Sequence, residues 1–213
     1  MRVIAVPVKA LERSKSRLAP HLSPLERGAL TLAMLEDVLD VAQAMPGWET
    51  WVVSPDEAVL EVAARRHART VVEARPGLVA AVRQVEQVAL SERAQALAVL
   101  SADLPLLTAS ALQAALRTLG PVVLGRSSRE GTSLLLRRPP RAIPARFGPD
   151  SFRRHLELAR ARGLPVAVVD RPELAFDLDL PGDILTVLAD ARRGRTLEVC
   201  LGMDLGERLA AHA

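Results

Sequence analysis

Apolar residues along this 213-residue chain fall into two alternating patterns: short runs in which nearly every position is apolar, and longer stretches in which apolar positions recur every three or four residues. The first pattern suits strands covered on both faces, the second amphipathic helices packed on them. Arg2 to Val8 reads as a strand, and a polar loop follows from Lys9 to Leu22. Ser23-Pro24-Leu25-Glu26 then has a cap residue, a proline at the first helical position and a Glu three residues after the Ser, so a helix is expected to about Ala44. Thr50 to Val53 is a second strand, and Ser54-Pro55-Asp56-Glu57 repeats the same starting signal. Thr70 to Val72 is a third strand, Leu78 to Leu90 a helix, and Ala96 to Leu100 an unbroken apolar strand. Thr108 can cap the next helix, which Gly120 ends. Strands follow at Val122 to Leu124 and Ser133 to Leu136, then a helix from about Ser151 to Arg162, strands at Val166 to Val169 and around Phe176 to Leu178, and a helix from about Gly182 to Arg193. Arg137 to Pro144, rich in Pro and Arg, is expected to be an exposed irregular loop. Such alternation predicts the α/β class, with a mainly parallel sheet and helices on both faces. No repeat or linker interrupts it, so one domain over residues 1–213 is expected.

Composition narrows the function classes. The chain is 49% hydrophobic and 25% charged, ordinary for a soluble protein, and no stretch approaches the ~20 apolar residues of a membrane helix. A cytoplasmic protein without a membrane partner is the expectation. The single Cys200 excludes an internal disulfide framework and reads as a buried small hydrophobe. Net charge is only +3 and aromatics are 2%, so the platforms on which single-stranded nucleic acids stack are lacking. The basic residues are lopsided in kind: of 28, only Lys9 and Lys15 are lysines, and both fall in the loop after the first strand. The absence of Asn and Tyr suggests a G+C-rich genome that drifts Lys to Arg wherever a diffuse positive charge suffices. A compact ammonium differs most from a planar guanidinium where a small charge must reach a phosphate, so the loop reads as a polyphosphate site.

The α/β pattern directs attention to strand ends, since ligands of open α/β sheets bind beyond the carboxyl ends of the strands. Asp103 follows the run Leu97-Ala98-Val99-Leu100 within Ser101-Ala102-Asp103-Leu104-Pro105; the alternative is a turn or cap aspartate. In Phe176-Asp177-Leu178-Asp179 an extended backbone would put both carboxylates on one face, roughly 7 Å apart, able to flank a hard cation; alternatively Asp179 caps the next helix and Asp177 is solvated. Three carboxylates for magnesium and a basic loop for phosphates are the equipment of phosphoryl or nucleotidyl transfer. No Walker loop, dinucleotide glycine fingerprint or nucleophile elbow is present. His21, His67, His155 and His212 are scattered without ligand spacing and read as surface or packing residues.

Several segments resemble one family in its own order. Pro7-Val8-Lys9 through Ser14-Lys15-Ser16-Arg17-Leu18 is similar to the nucleotide loop of the guanylyltransferases of coenzyme F420 biosynthesis, which join GMP from GTP to 2-phospho-L-lactate or phosphoenolpyruvate. The resemblance continues through Ala102-Asp103-Leu104-Pro105-Leu106-Leu107, Glu130-Gly131-Thr132-Ser133, Phe147-Gly148-Pro149-Asp150-Ser151-Phe152 and Asp177-Leu178-Asp179. Two positions depart from the family pattern: Ser133 and Val79 stand where Asn is usual.

The resemblance implies a Rossmann-like nucleotidyltransferase fold. It further implies that Lys9, Lys15 and Arg17 hold the GTP phosphates, that Asp103, Asp177 and Asp179 position magnesium, and that Thr132, Gly148 and Ser151 cradle the acceptor acid. Taken by themselves, Gly148 can equally be a turn glycine and Ser151 a helix cap. The rival readings are a molybdenum-cofactor type guanylyl- or cytidylyltransferase, which ordinarily has glycines in the first loop, and a non-catalytic basic protein that binds nucleic acid. Neither the acceptor acid nor the oligomeric state is fixed by the sequence, and a homodimer stays open.

Overall fold

The computed structural model describes residues 1–190 and 194–211. Strands β1 (Arg2–Pro7), β2 (Glu49–Ser54), β3 (Arg69–Val72), β4 (Ala96–Leu100), β5 (Val122–Arg126), β6 (Thr132–Arg137) and β7 (Val166–Val169) form one sheet in the order β3-β2-β1-β4-β6-β5-β7. β6 runs antiparallel to β4 and β5, and the other pairs are parallel. The helices are α1 (Pro24–Gln43), α2 (Glu57–Arg65), α3 (Leu78–Ser91), α4 (Ala109–Arg117), α5 (Ser151–Ala161), α6 (Pro172–Ala175), α7 (Pro181–Ala189), α8 (Arg195–Gly202) and α9 (Leu205–Ala210). Among the described residues, no helix is long and apolar enough to cross a membrane.

The central strands alternate strictly between two cores. Ile4 and Val6 of β1 and Ala96, Ala98 and Leu100 of β4 pack with α1 and α4 on one face. Val3, Ala5, Leu97 and Val99 pack with α3 and α5 on the other. That two-sided burial is why β1 and β4 read as unbroken apolar runs. A third cluster unites Leu18 and Leu22 of the first loop, Leu30 and Met34 of α1, Leu178, and Cys200, Leu205 and Leu209. Each fully buried Leu side chain contributes roughly 1.5–3 kcal/mol, so Leu18 and Leu178, both at 0% exposure, anchor the segments that carry the candidate basic and acidic residues.

Several boundaries differ from expectation. α1 begins with the predicted capping box at Ser23 and Glu26, but α2 is capped by Asp56, whose side chain accepts from Ala58 N–H. Ser54 is unavailable as a cap because it completes β2, where its carbonyl accepts from Glu73 N–H. Phe176 to Leu178 is not a strand: both neighbours of β4 and of β5 are already taken, and in place of a ladder Leu178 N–H donates to the Asp103 carbonyl in the turn after β4 at 3.1 Å. Arg137 to Pro144 is not wholly exposed either. Arg137 ends β6 at 0% exposure, because its guanidinium meets Glu86 at 2.5 Å and donates to the Ile143 carbonyl at 3.0 Å, while Ile143 is itself buried. Ser151 is the first residue of α5 and not its cap; Asp150 occupies the N-cap position, in the left-handed conformation and without a side-chain cap hydrogen bond. The last predicted helix ends at Ala189; its continuation to Arg193, with Arg192, and also His212, lie outside the described residues.

Candidate active site

Behind β1 the chain makes two short 3-10 turns, Leu11–Arg13 and Ser16–Leu18, which α1 and α2 brace. Leu11 N–H donates to Asp56 Oδ2 at 2.9 Å, the Thr31 hydroxyl donates to Ser14 Oγ at 2.9 Å, and Arg27 Nε reaches the Ser14 carbonyl at 3.3 Å. Between the turns Lys15 adopts the left-handed conformation at φ 47°, ψ 42°. Non-glycine residues persist there only when their surroundings fix them. Its side chain, 7% exposed, is fixed at the far end: Nζ donates to Asp103 Oδ2 at 2.8 Å and to the Leu178 carbonyl at 2.5 Å. One ammonium thus ties the loop after β1 to the turn after β4 and to the acidic segment.

The other basic and acidic candidates group around that tie. Arg17 Nη1 pairs with Asp179 Oδ2 at 2.7 Å. Lys9 is exposed. Lys9, Lys15, Arg17, Asp103 and Asp179 all line one cleft of about 960 Å³, within the range of small-molecule sites. Asp177 does not line it. Its carboxylate accepts from Ser128 Oγ at 2.5 Å and lies 3.1 Å from Arg129, which also holds Asp183 at 2.6 Å. Asp183 in turn accepts the N–H groups of Asp179 and Leu180, which fixes the acidic segment at the start of α7. Burial opposes the charge of Arg129, yet Asp177 and Asp183 outweigh it and raise its pKa. Among the described residues, no three metal-ligating side chains converge, since each of Asp103, Asp177 and Asp179 faces a side-chain cation.

Thr132, Gly148 and Ser151 form a neighbouring group outside the lining of that cleft. Gly148 sits at φ +122° with nothing near the position a Cβ would take, and Ser151 N–H donates to its carbonyl at 3.2 Å. Thr132 Oγ1 lies 3.0 Å from His155 Nδ1, one turn into α5. His155 Nε2 accepts from Arg146 N–H at 2.8 Å, so the neutral ring carries its proton on Nδ1 and donates to Thr132. The Thr132 hydroxyl hydrogen is thereby free to donate elsewhere. Burial, with the Arg137 charge as a second cause, pushes the His155 pKa down to about 4, so the ring is neutral at pH 7. Phe147 lines the cleft and meets His155 edge-on at 5.2 Å, which joins the two groups.

Arg129, Ser128 and Asp183 are residues of the site that sequence reasoning did not single out. The placement of Ser128-Arg129 directly before Glu130-Gly131-Thr132 is the signal that could have found the first two. His155, one of the four histidines that read as surface or packing residues, is buried at 0% exposure, and its tie to Thr132 needs the register of α5 against β6.

A braced basic loop facing acidic turns at the carboxyl ends of parallel strands defines a nucleotidyltransferase, an enzyme that transfers a nucleotide. Residues 1–201 match the family described as guanylyl transferase CofC like, and the chain belongs to that family. It is 44% identical over 189 residues, 86% of this chain and 92% of the relative, to the phosphoenolpyruvate guanylyltransferase of Rubrobacter xylanophilus. It is 42% identical over 194 residues, 87% of this chain and 89% of the relative, to the 3-phospho-D-glycerate guanylyltransferase of Phenylobacterium zucineum. In fold it is similar to a Desulfovibrio desulfuricans protein assigned to the nucleotide-diphospho-sugar transferases, with TM-score 0.81 at 19% identity over 99% of this chain and 98% of that one. A nucleotidyl transferase from Methanothermobacter has TM-score 0.65 at 17% identity over 87% of this chain and 95% of its own. The enzyme reading therefore stands over the non-catalytic basic protein.

Proposed function

We propose that this enzyme transfers GMP from GTP to phosphoenolpyruvate, or to 2-phospho-L-lactate or another phosphorylated three-carbon acid, with release of pyrophosphate, as in coenzyme F420 assembly. The observation that carries the reading is the tie of Lys15 to Asp103 and Leu178 beside the Arg17–Asp179 pair, all at one cleft. An acceptor phosphate oxygen would attack the α-phosphorus of GTP; the bond from that phosphorus to the bridging oxygen breaks, and the electron pair leaves on pyrophosphate. The attacking oxygen is ionised at neutral pH, so no general base is needed, which agrees with a neutral His155 occupied by two hydrogen bonds.

In this reading Lys9, Lys15 and Arg17 receive the phosphates, and the compact Lys15 ammonium exchanges part of its bond to Asp103 for a phosphate oxygen. Thr132, with its free hydroxyl hydrogen, Gly148 and Ser151 receive the acid. Magnesium is part of the proposal. It typically takes one or two carboxylates plus substrate phosphates and water, and Asp103 and Asp179, both on the cleft, fit that donor set. Asp177, held by Ser128 and Arg129, would support them. When bound, the ion would offset charge on the α-phosphate and the leaving pyrophosphate. A cytoplasmic location belongs to the same proposal, since the substrates are charged and do not cross membranes unaided.

The test is incubation of the protein with GTP, magnesium and, separately, phosphoenolpyruvate, 2-phospho-L-lactate and 3-phospho-D-glycerate, with pyrophosphate release as readout. Release that depends on one acid is the expected result, and no release with any of them refutes the proposal.

A further inference from the structure

We infer that Glu73 reads the nucleobase of the substrate and selects guanine. The inference rests on the guanylyltransferase reading above and adds a base-reading residue to it. The cleft runs along the carboxyl edge of the sheet from the turn after β4, which holds Asp103, to the turns after β2 and β3. In the order β3-β2-β1-β4, β3 stands three strand positions from β4, about 14 Å at the usual spacing. A nucleotide whose phosphates meet Lys9, Lys15 and Arg17 therefore points its base toward β3.

That end of the cleft is lined by Pro55, Glu73, Ala74, Pro76, Gly77 and Leu78, and Glu73 is the one polar side chain among them. Val79, the position where the family pattern has Asn, is not part of the lining. Glu73 is half-buried and its carboxylate is oriented, because Oε1 accepts from Gly77 N–H at 2.6 Å. Gly77, at φ +114° with nothing near a Cβ position, lets the turn bring that N–H to the carboxylate. Gln84 completes the brace, accepting from Ala74 N–H at 2.9 Å and donating to the Val72 carbonyl at 2.8 Å.

A carboxylate is an acceptor only, with two lone pairs on each oxygen. Guanine alone among the common bases presents two adjacent donors on its pairing edge, N1–H and the 2-amino group. Adenine and cytosine set their amino group beside an acceptor nitrogen, and uracil flanks its N–H with two carbonyls. An oriented carboxylate at the end of an otherwise apolar slot therefore favours guanine by two charge-assisted hydrogen bonds, while the other bases offer its remaining lone pairs no such pair of donors.

The experiment compares GTP with inosine triphosphate, which lacks only the 2-amino group. Calorimetric titration of the full chain measures binding of each nucleotide to the unaltered protein and to Glu73→Gln, which keeps an oxygen for Gly77 N–H. The unaltered protein is expected to bind GTP roughly ten- to a hundredfold more tightly than inosine triphosphate, the usual loss for one hydrogen bond to a charged group. Glu73→Gln should bring the two within a few-fold by weakening GTP. An unchanged ratio overturns the inference. Equal weakening of both nucleotides also overturns it, because the carboxylate would then act on the ribose or the turn. Titration needs no acceptor, so selective, Glu73-dependent binding without pyrophosphate release would sink the proposed reaction and leave the base reading standing.

Discussion

His155 makes the stability of this protein depend on pH between about 6.5 and about 4. The ring is at 0% exposure, takes a hydrogen bond on Nε2 from Arg146 N–H and gives one from Nδ1 to Thr132. Burial disfavours a second, charging proton and the nearby Arg137 charge adds to the penalty, so the pKa falls from 6.5 to about 4. The unfolded chain binds that proton at about pH 6.5 and the native state does not, so the contribution is fully present above 6.5 and is lost as pH falls from 6.5 through about 4. The full gap corresponds to about 3 kcal/mol, of which about 2 kcal/mol is gone by about pH 5. Urea unfolding at about pH 7.5 and about pH 5 should therefore show the unaltered protein losing about 2 kcal/mol more than His155→Gln, a side chain that does not titrate. The variant will start lower by about 1 kcal/mol for its poorer hydrogen bonds, but the difference in slope decides. Glu26, held at about 2 by its hydrogen bond from Arg208 and those from Ser23, loses its contribution as pH falls from 4.5 through about 2, below the lower of the two pH values compared. Parallel pH dependences in the two proteins would refute the neutral, Nδ1-protonated assignment of His155, and with it the free hydroxyl hydrogen on Thr132.

Asp103→Asn and Asp179→Asn are each expected to abolish pyrophosphate release while circular dichroism stays unchanged, because an amide is a poorer magnesium ligand of nearly the same shape; Asp177→Asn should do the same by loosening the acidic segment, and full activity in any one removes that residue from the site. Lys15→Arg should reduce turnover by an order of magnitude or more, because its 7%-exposed ammonium fills a slot shaped by Asp103 and Leu178, whereas Arg83→Lys on the exposed face of α3 should be silent. Equal tolerance of the two would refute the phosphate reading of the lysines. Ser151→Ala should raise the KM for the phosphorylated acid roughly ten- to a hundredfold and leave that for GTP near its original value, with Thr132→Ser, which keeps the hydroxyl, retaining affinity for the acid. A rise in the GTP KM instead would exchange the two halves of the site.

The parts of the fold legible in the sequence are those where one local signal suffices. Ser23-Pro24-Leu25-Glu26 forms its capping box because both partners lie within one turn, and Ala96 to Leu100 is an unbroken apolar run because both faces of β4 are covered. The misread parts are those decided by partners distant in sequence. Phe176 to Leu178 alternates as a strand would, but a strand needs a free edge, and β4, β6 and β5 offer none there. Arg137 begins a Pro- and Arg-rich stretch that looks solvent-exposed, and only Glu86 on α3, 51 residues earlier, draws the guanidinium inside. The candidate site divides the same way. Lys9, Lys15, Asp103 and Asp179 stand out because their chemistry is unusual for their place in the pattern, Arg17 enters through the family resemblance, and all five reach one cleft. Arg129 was hidden among many arginines, and nothing local distinguishes it until Asp177 and Asp183 are brought to it.

The three aspartates of the candidate site are held in ion pairs before any substrate is present. Lys15, Arg17 and Arg129 each already hold one of the three aspartates. A buried or half-buried carboxylate left alone would repel its neighbours and cost several kcal/mol, so pairing with cations keeps the acidic segment folded against β4 before substrate arrives. Arg129 is held on two sides, by Asp177 and Asp183, and so serves the frame, while Lys15 and Arg17 lie on the cleft, where their charge can turn toward a phosphate. In the proposed reaction an incoming triphosphate would compete for those two cations and in doing so would uncover Asp103 and Asp179 for magnesium. Phosphates and metal would then bind with positive cooperativity, since each creates the partner the other needs. Titration of GTP in the presence and absence of magnesium should show at least a tenfold difference in affinity, and Arg17→Met, which leaves Asp179 exposed from the start, should narrow it. Independent binding of the two would mean that the ion pairs persist in the loaded enzyme and that the carboxylates serve only to hold the basic loop in place.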